Sequence, residues 1–375
     1  MEMTPRQRLL AALRGREVDR LPWSPILAYW WDSQPRQVQE RGEFRFLVDL
    51  GADPLLRGYT TSFVCSDLRG ANEYPERMYL PIPGCDIRRQ TKGDEERVTY
   101  ETPVGNLTML SRYSPAGNTR FVIEHPVKTR QHYKILAYLV ERMVIQPDYG
   151  PVQGLIDTMG EGGLLVPLLS PFLKTPFQAL VEHYVGTVQL VYDLADYPEE
   201  VEALLEVMSE RVTEAVRISA ESPAEAFISW EDSSTTNISP AMFRRYIAPE
   251  ISRWGRMLHD AGKLLLHHAC GHVRHLLPIM VEEEVDVIES LSPPPTGNVE
   301  IWEAQEVLGS RIGIVGGIEP THLLNLEMDA FREYVEDLLD RVNHRHYVLA
   351  NSDSCPPGVA VEKFRLVTQI VRERC

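Results

Sequence analysis

His268 and Cys270 stand two residues apart at the end of an apolar run, KLLLHHAC (263–270), and a further soft donor, Cys355, follows another, HYVLANS (346–352). On a strand, residues two apart project to the same side. His268 and Cys270 therefore share a face with Leu264 and Leu266 beneath them, while His267 and Ala269 take the other. One imidazole and two thiolates make an incomplete tetrahedral shell for zinc, the open arrangement of a catalytic site. Sulfur donors favour zinc over magnesium or calcium. The fourth position could take water, substrate or a displaceable carboxylate, and Glu231, ending a neighbouring apolar run, is the first candidate for it. Asp232, Glu289 and Asn351 also fall at run ends, where they would line a pocket, with proton transfer or substrate orientation as open roles. Spacing alone leaves a plain alternative open, in which these are buried, satisfied residues without a metal.

Positioning such residues requires regular elements, and the chain supplies an alternation. Short apolar runs with strand character occur at 21–28, 52–58, 164–170, 226–232, 263–270, 286–292, 311–318 and 346–352, with helical patterns between most of them. Several runs are apolar with little alternation, as expected of parallel strands covered on both faces. Ser239-Pro240 offers a cap and first turn for a helix running towards Gly262. Eight strands alternating with helices close a (β/α)8 barrel, whose active site lies at the C-terminal strand ends. A wound open sheet is the structural alternative, although no GxGxxG fingerprint supports a dinucleotide site in either. Between the second and third strands, residues 86–123 contain RVTYETPVGNLTMLSRYS, two β-rich runs separated by Thr102–Asn106. This reads as a β-hairpin inserted in a single TIM barrel that spans residues 1–375.

The composition, 43% hydrophobic and 25% charged over 375 residues, is that of a globular protein able to bury a large core. A net charge of −16 argues against nucleic acid, whose phosphates demand a basic footprint, and disfavours an anionic membrane surface. No apolar run reaches the roughly 18 residues that span a bilayer, and MEMTPRQRLLAALRGREVDR lacks the core and cleavage site of a signal peptide. A cytoplasmic location is expected. The five cysteines are scattered, and in a reducing compartment they serve as core residues, ligands or thiols rather than bridges.

At AGKLLLHHACGHVRHLLPIMVEEEVDVIE the chain resembles the uroporphyrinogen decarboxylase superfamily, in particular its zinc- and corrinoid-linked methyltransferase branch. Supporting segments are MTPRQRLLAALRGREVDRLPW, TPVGNLT, WEDSSTTNISPAMFRRYIAPEI, RIGIVGGIEP and NSDSCPPG, so the resemblance covers nearly the whole chain. It implies a (β/α)8 fold and zinc ligation by His268, Cys270 and Cys355. The true decarboxylases carry an arginine-rich segment after the first strand that grips porphyrin carboxylates; this chain reads SPILAYWWDSQP there, which removes the clamp. The resemblance instead implies a methyltransferase. No DxHxxG cobalamin-ligand motif occurs, so the cobalamin is expected on a separate corrinoid protein. Tyr29, Trp30 and Trp31 could form a stacking wall for an aromatic ring, which favours a methoxylated aromatic ether as small-molecule methyl donor; the alternative for these three is packing under the inserted hairpin. Transfer from a methylcorrinoid to a thiol such as coenzyme M is the second reading, and a zinc-stabilised barrel acting as a binding protein is the non-enzymatic one.

The remaining polar groups read more plainly. His272 and His275 follow Cys270 on an expected helix and suit surface or supporting roles. Glu282-Glu283-Glu284 reads as a solvated helix end, and Cys65, Cys85 and Cys375 as bystanders. Gly316-Gly317 would permit close approach of a ligand or make a turn.

Overall fold

A computed structural model describes residues 2–66, 68, 79–115 and 119–374. Cys375 lies outside the described residues. In chain order the strands are β1 (Leu55–Thr61), β2 (Phe63–Cys65), β3 (Asp86–Lys92), β4 (Glu95–Thr102), β5 (Gly105–Ser114), β6 (Thr119–Glu124), β7 (Ile145–Pro147), β8 (Leu164–Leu168), β9 (Ala226–Glu231), β10 (Leu264–Ala269), β11 (Val287–Leu291), β12 (Gly313–Ile318) and β13 (Tyr347–Asn351). The chain divides into two compact units: Met1–Thr60 with Gly150–Leu168 and Pro223–Cys375, and Thr61–Tyr149 with Leu169–Ser222.

The first unit holds a seven-stranded sheet in the order β1-β8-β9-β10-β11-β12-β13. The neighbours whose pairing is resolved from β8 to β13 run parallel. Strands β8, β11, β12 and β13 are buried along their whole length, as the unalternating apolar runs require of strands covered on both faces. Each of the eight expected runs contributes a stave. The first does so minimally: Trp23 bridges Leu349 of β13 in parallel, and on its other side the Asp53 amide donates to the Trp23 carbonyl at 2.7 Å. Pro22 and Pro25 bracket this stave and have no N–H to extend its ladder. The ring is thus closed between β13 and β1, and the architecture is a TIM-like (β/α)8 barrel.

A side-chain node supports that short stave. The buried Asp53 carboxylate accepts from Arg8 Nη1 (2.5 Å), Arg20 Nη1 (2.6 Å) and the Trp23 amide (3.2 Å). Arg8 lies on the helix Pro5–Leu13, whose capping box is formed by Thr4 and Gln7. It also pairs with Asp19 at 2.6 Å.

Helices follow the sequence signals. Ser239 caps Pro240–Met242 by accepting from the Met242 amide, and the chain stays helical through Asp260. The break at Pro198 separates Thr187–Asp196 from Pro198–Glu221 in the second unit. That unit contains the insertion. The expected hairpin is present as β4 and β5 around Pro103-Val104, and β3 and β6 extend it to a four-stranded antiparallel meander. Phe63, Ile145 and Ala215 form a core cluster where β2 pairs antiparallel with β7. No described helix is long and apolar enough to cross a membrane.

Hydrogen bonding to Arg8 holds the Asp19 carboxyl down to about 2, against about 3.9 in an unfolded chain. A depressed carboxyl contributes stability that is present above the unfolded value and lost as pH falls towards the folded one. Between about pH 4 and 2 the urea midpoint of the wild type should therefore fall more steeply than that of Asp19→Asn. Parallel curves for the two proteins would contradict this role of the Arg8 pair.

Candidate metal centre

Strand β10 sits mid-sheet and carries His267 and His268 on opposite faces. His268 points to the barrel interior: its Nδ1 meets Glu289 Oε2 of β11 at 2.5 Å. The other oxygen of Glu289 pairs with Arg57 Nε of β1 at 2.9 Å. Because β1 and β11 are four places apart in the sheet order, only an interior line of contact joins them. Glu289 and Arg57 are both buried. Burial pushes the Glu289 carboxyl up, but His268 and Arg57 outweigh it and the net direction is down. For His268, burial acts downward, and Glu289 and Cys270 raise it well above the ordinary histidine value. With Nδ1 engaged by the carboxylate, Nε2 is the ring nitrogen left to face a ligand, the arrangement that orients metal-bound histidines.

Asp232, His268 and Cys270 place one donor atom each within 4.8 Å of one another. Cys270 Sγ donates to Asp232 Oδ1 at 3.4 Å. Burial, together with Asp353 and Asp232 and against the opposing pull of His268, pushes the Cys270 thiol up to about 11. It is therefore protonated at neutral pH unless a cation stabilises the thiolate. The Asp353 carboxyl is itself raised, chiefly by burial and further by Asp232 and Glu289, against His268. Imidazole, thiol and carboxylate within one small space form a donor set suited to zinc.

The expected residues are distributed differently from the sequence reading. Glu231, the first candidate for the fourth ligand, is not in this set. It pairs in register with Ala269, on the face opposite His268, and its carboxylate accepts from Ser229 Oγ at 2.7 Å. Asp232, one residue on, takes its place. Cys355 is outside this set and buried, with its Sγ 3.8 Å from the Pro356 carbonyl, and burial alone raises its thiol. Asn351 does not present its amide to a pocket: it bonds both the Ile26 amide and carbonyl at 2.8 and 2.9 Å, and the Asp353 carbonyl at 2.6 Å. Glu289 supports His268 instead of standing at a substrate surface.

Of the aromatic trio, Trp30 is core, its Nε1 donating to the Val359 carbonyl and its ring packed on Phe46 and Phe364 at 5.2 and 5.3 Å. Trp31 is half-buried on Phe46, and Tyr29 is 38% exposed. The close approach allowed by Gly317 serves the protein itself, since a Cβ there would lie 2.2 Å from the Tyr347 hydroxyl. Glu283 is the group most misjudged from sequence. It is fully buried, not solvated, and its Oε2 meets His267 Nδ1 at 2.8 Å. The available signal was His267 itself, which must face the helical layer and need a polar partner there.

A family model described as uroporphyrinogen decarboxylase (URO-D) matches residues 156–374, more than half of the chain. No curated protein matches. Among solved structures, the chain is similar to a methyltransferase from Methanosarcina mazei, with 16% identity, a TM-score of 0.62, and coverage of 100% of this chain and 99% of the other. A B12-independent methionine synthase from Shewanella sp. W3-18-1 aligns over 95% of this chain and 98% of its own, at 11% identity and a TM-score of 0.43. At such identities the first likeness bears on the fold.

The interior line Arg57–Glu289–His268 makes a stability prediction. Removing one member of a buried ion pair leaves an uncompensated charge and costs about 3–5 kcal/mol. Glu289→Ala should lose stability on that scale in urea melts, and Arg57→Met/Glu289→Gln should recover part of it. A Glu289→Ala protein as stable as wild type would show the pair to be immaterial to folding.

Proposed function

The chain belongs to the uroporphyrinogen decarboxylase family, and from that premise we propose that it is a zinc-dependent methyltransferase and not a decarboxylase. The observation that carries this reading is the convergence of Asp232, His268 and Cys270 within 4.8 Å, with His268 fixed through Nδ1 by a buried carboxylate. A porphyrin clamp is missing from SPILAYWWDSQP, and decarboxylation leaves a nitrogen–sulfur donor set without a purpose. The similar protein from Methanosarcina mazei is a methyltransferase, which agrees with this choice.

In the proposal, His268 and Cys270 hold zinc with Asp232. A zinc ion there would supply Lewis acidity, holding a thiol as thiolate or polarising the oxygen of a methyl ether. The chain's own groups do the rest. Glu289 and Arg57 keep the His268 ring oriented. Ligation by Cys355, which the family resemblance implies, would take its thiol away from the Pro356 carbonyl. The acceptor in the proposal is the cobalamin of a separate corrinoid protein, and the donor a methoxylated aromatic ether. Tyr29 is the aromatic best placed to meet an incoming ring, since Trp30 is committed to the core.

Metal content by mass spectrometry tests the centre. About one zinc per chain is expected in wild type, with loss in Cys270→Ala and Asp232→Ala while both stay folded. Loss in Cys355→Ala as well would add that residue to the ligand set, and retention would exclude it. A folded, metal-free wild type overturns the proposal. For the reaction, methylcobalamin should accumulate from aromatic methyl ethers and a cob(I)alamin-loaded corrinoid protein. Failure across a broad ether panel, with transfer from methylcobalamin to thiols instead, would reassign the donor and the direction.

A further inference from the structure

Directly behind the candidate metal centre, on the other face of β10, lies a second polar group that the proposed chemistry does not use. Ser233 Oγ and His267 Nε2 are 3.2 Å apart, and His267 Nδ1 lies 2.8 Å from Glu283 Oε2. All three side chains are buried. In the neutral imidazole, Nδ1 donates to the carboxylate and Nε2 accepts from the serine hydroxyl. The His267 ring also stacks on Phe243, with centroids 6.1 Å apart and planes 10° from parallel. This serine–histidine–carboxylate arrangement has the members of a hydrolytic triad but no route for a substrate, so nucleophilic catalysis is not its use.

Its place in the sequence suggests another. Ser233 directly follows Asp232, and His267 directly precedes His268. The hydrogen bond between them ties together the two segments that carry the ligands, one residue away from each ligand. The tie continues beyond it. The Ser234 hydroxyl accepts from the His272 amide at 3.0 Å, and Thr235 donates from both its amide and its hydroxyl to the His272 carbonyl, at 3.0 and 2.9 Å. Gly271 lets the segments close: its φ is +80°, and a Cβ there would lie 2.9 Å from the Ser234 side chain. Asp232 itself lies one residue beyond the end of β9, outside its ladder.

We propose that Ser233 and His267 are positioning residues for the metal centre, holding the Asp232 segment against β10 so that the Asp232 carboxylate meets His268 and Cys270 around the ion. This rests on the zinc reading of the same site. Glu283 anchors the assembly by fixing the His267 ring. Groups that orient metal ligands typically contribute about 10- to 100-fold to affinity.

The test uses the full-length protein stripped of metal and reloaded with zinc or cobalt(II). The readouts are zinc affinity by chelator competition, the cobalt(II) ligand-field spectrum, and the thermal melt of the metal-free protein. Ser233→Ala removes one hydroxyl; Ser233→Thr keeps it; His267→Phe keeps the stacking on Phe243 and loses both hydrogen bonds. The expected result is zinc affinity about 10-fold weaker in Ser233→Ala, an altered cobalt spectrum, a melt close to wild type, and recovery of affinity in Ser233→Thr. His267→Phe should weaken affinity at least as much if it folds; Ser233→Ala decides the matter if it does not. Wild-type affinity and spectrum in Ser233→Ala, or a lowered melt with unchanged affinity, would overturn the positioning role while leaving the zinc reading intact. A wild type that binds neither metal would overturn both.

Discussion

Adjacent residues on a strand must face opposite ways, and this site is built on two adjacent histidines in the middle of a sheet. His268 enters the barrel and His267 the helical layer, and each needs a partner because a buried, unpaired imidazole is costly. Two carboxylates meet that need from different directions, Glu289 on β11 and Glu283 from the turn that precedes it. A slip of one residue in β10, in either direction, would turn each ring to the other face and leave one of the two carboxylates, Glu283 or Glu289, without its imidazole. The register of the central strand is therefore fixed by polar satisfaction on both faces as well as by its leucines.

The interior charges follow from the same placement. Arg57, Glu289 and His268 form a line through the barrel in which each group makes the next one tolerable. The cluster at the mouth is different in character. Cys270, Asp232 and Asp353 crowd acidic groups together, and burial, with that crowding, raises the Cys270 thiol and the Asp353 carboxyl. A dication placed at this set would favour the deprotonated forms. Glu289 is matched to Arg57 and lies with the supporting frame, whereas Asp232 and Asp353 lie beside the Cys270 thiol.

Elements governed by local rules were legible in the sequence. The eight apolar runs, the Ser239 cap, the break at Pro198 and the turn after Thr102 all rest on chemistry within a few residues. The shared face of His268 and Cys270 was legible too, because it needs only strand alternation. What was not legible needed register or tertiary partners. Glu231 and Asp232 are neighbours, and choosing between them requires knowing that Glu231 aligns with Ala269. Glu283 sits in an acidic triplet that looks solvated until a buried histidine is placed beside it. Trp30 lies in a single helical turn, Tyr29–Asp32, and Cys355 in an irregular segment, and no periodicity reveals which way either points.

Those two segments explain one another. The Trp30 amide donates to the Cys355 carbonyl at 2.9 Å, and the Trp30 indole donates to Val359 farther along the same loop. Asn351 bonds Ile26 on one side and Asp353 on the other. The segment SPILAYWWDSQP is thus no simple stacking wall: its central ring is a peg that fastens the loop bearing Cys355. Any displacement of Tyr29 or Trp31 would act on Trp30 between them, and so on the backbone of Cys355. In this geometry the aromatic segment and the Cys355 loop share one piece of framework, so a shift of either backbone bears on the position of the other.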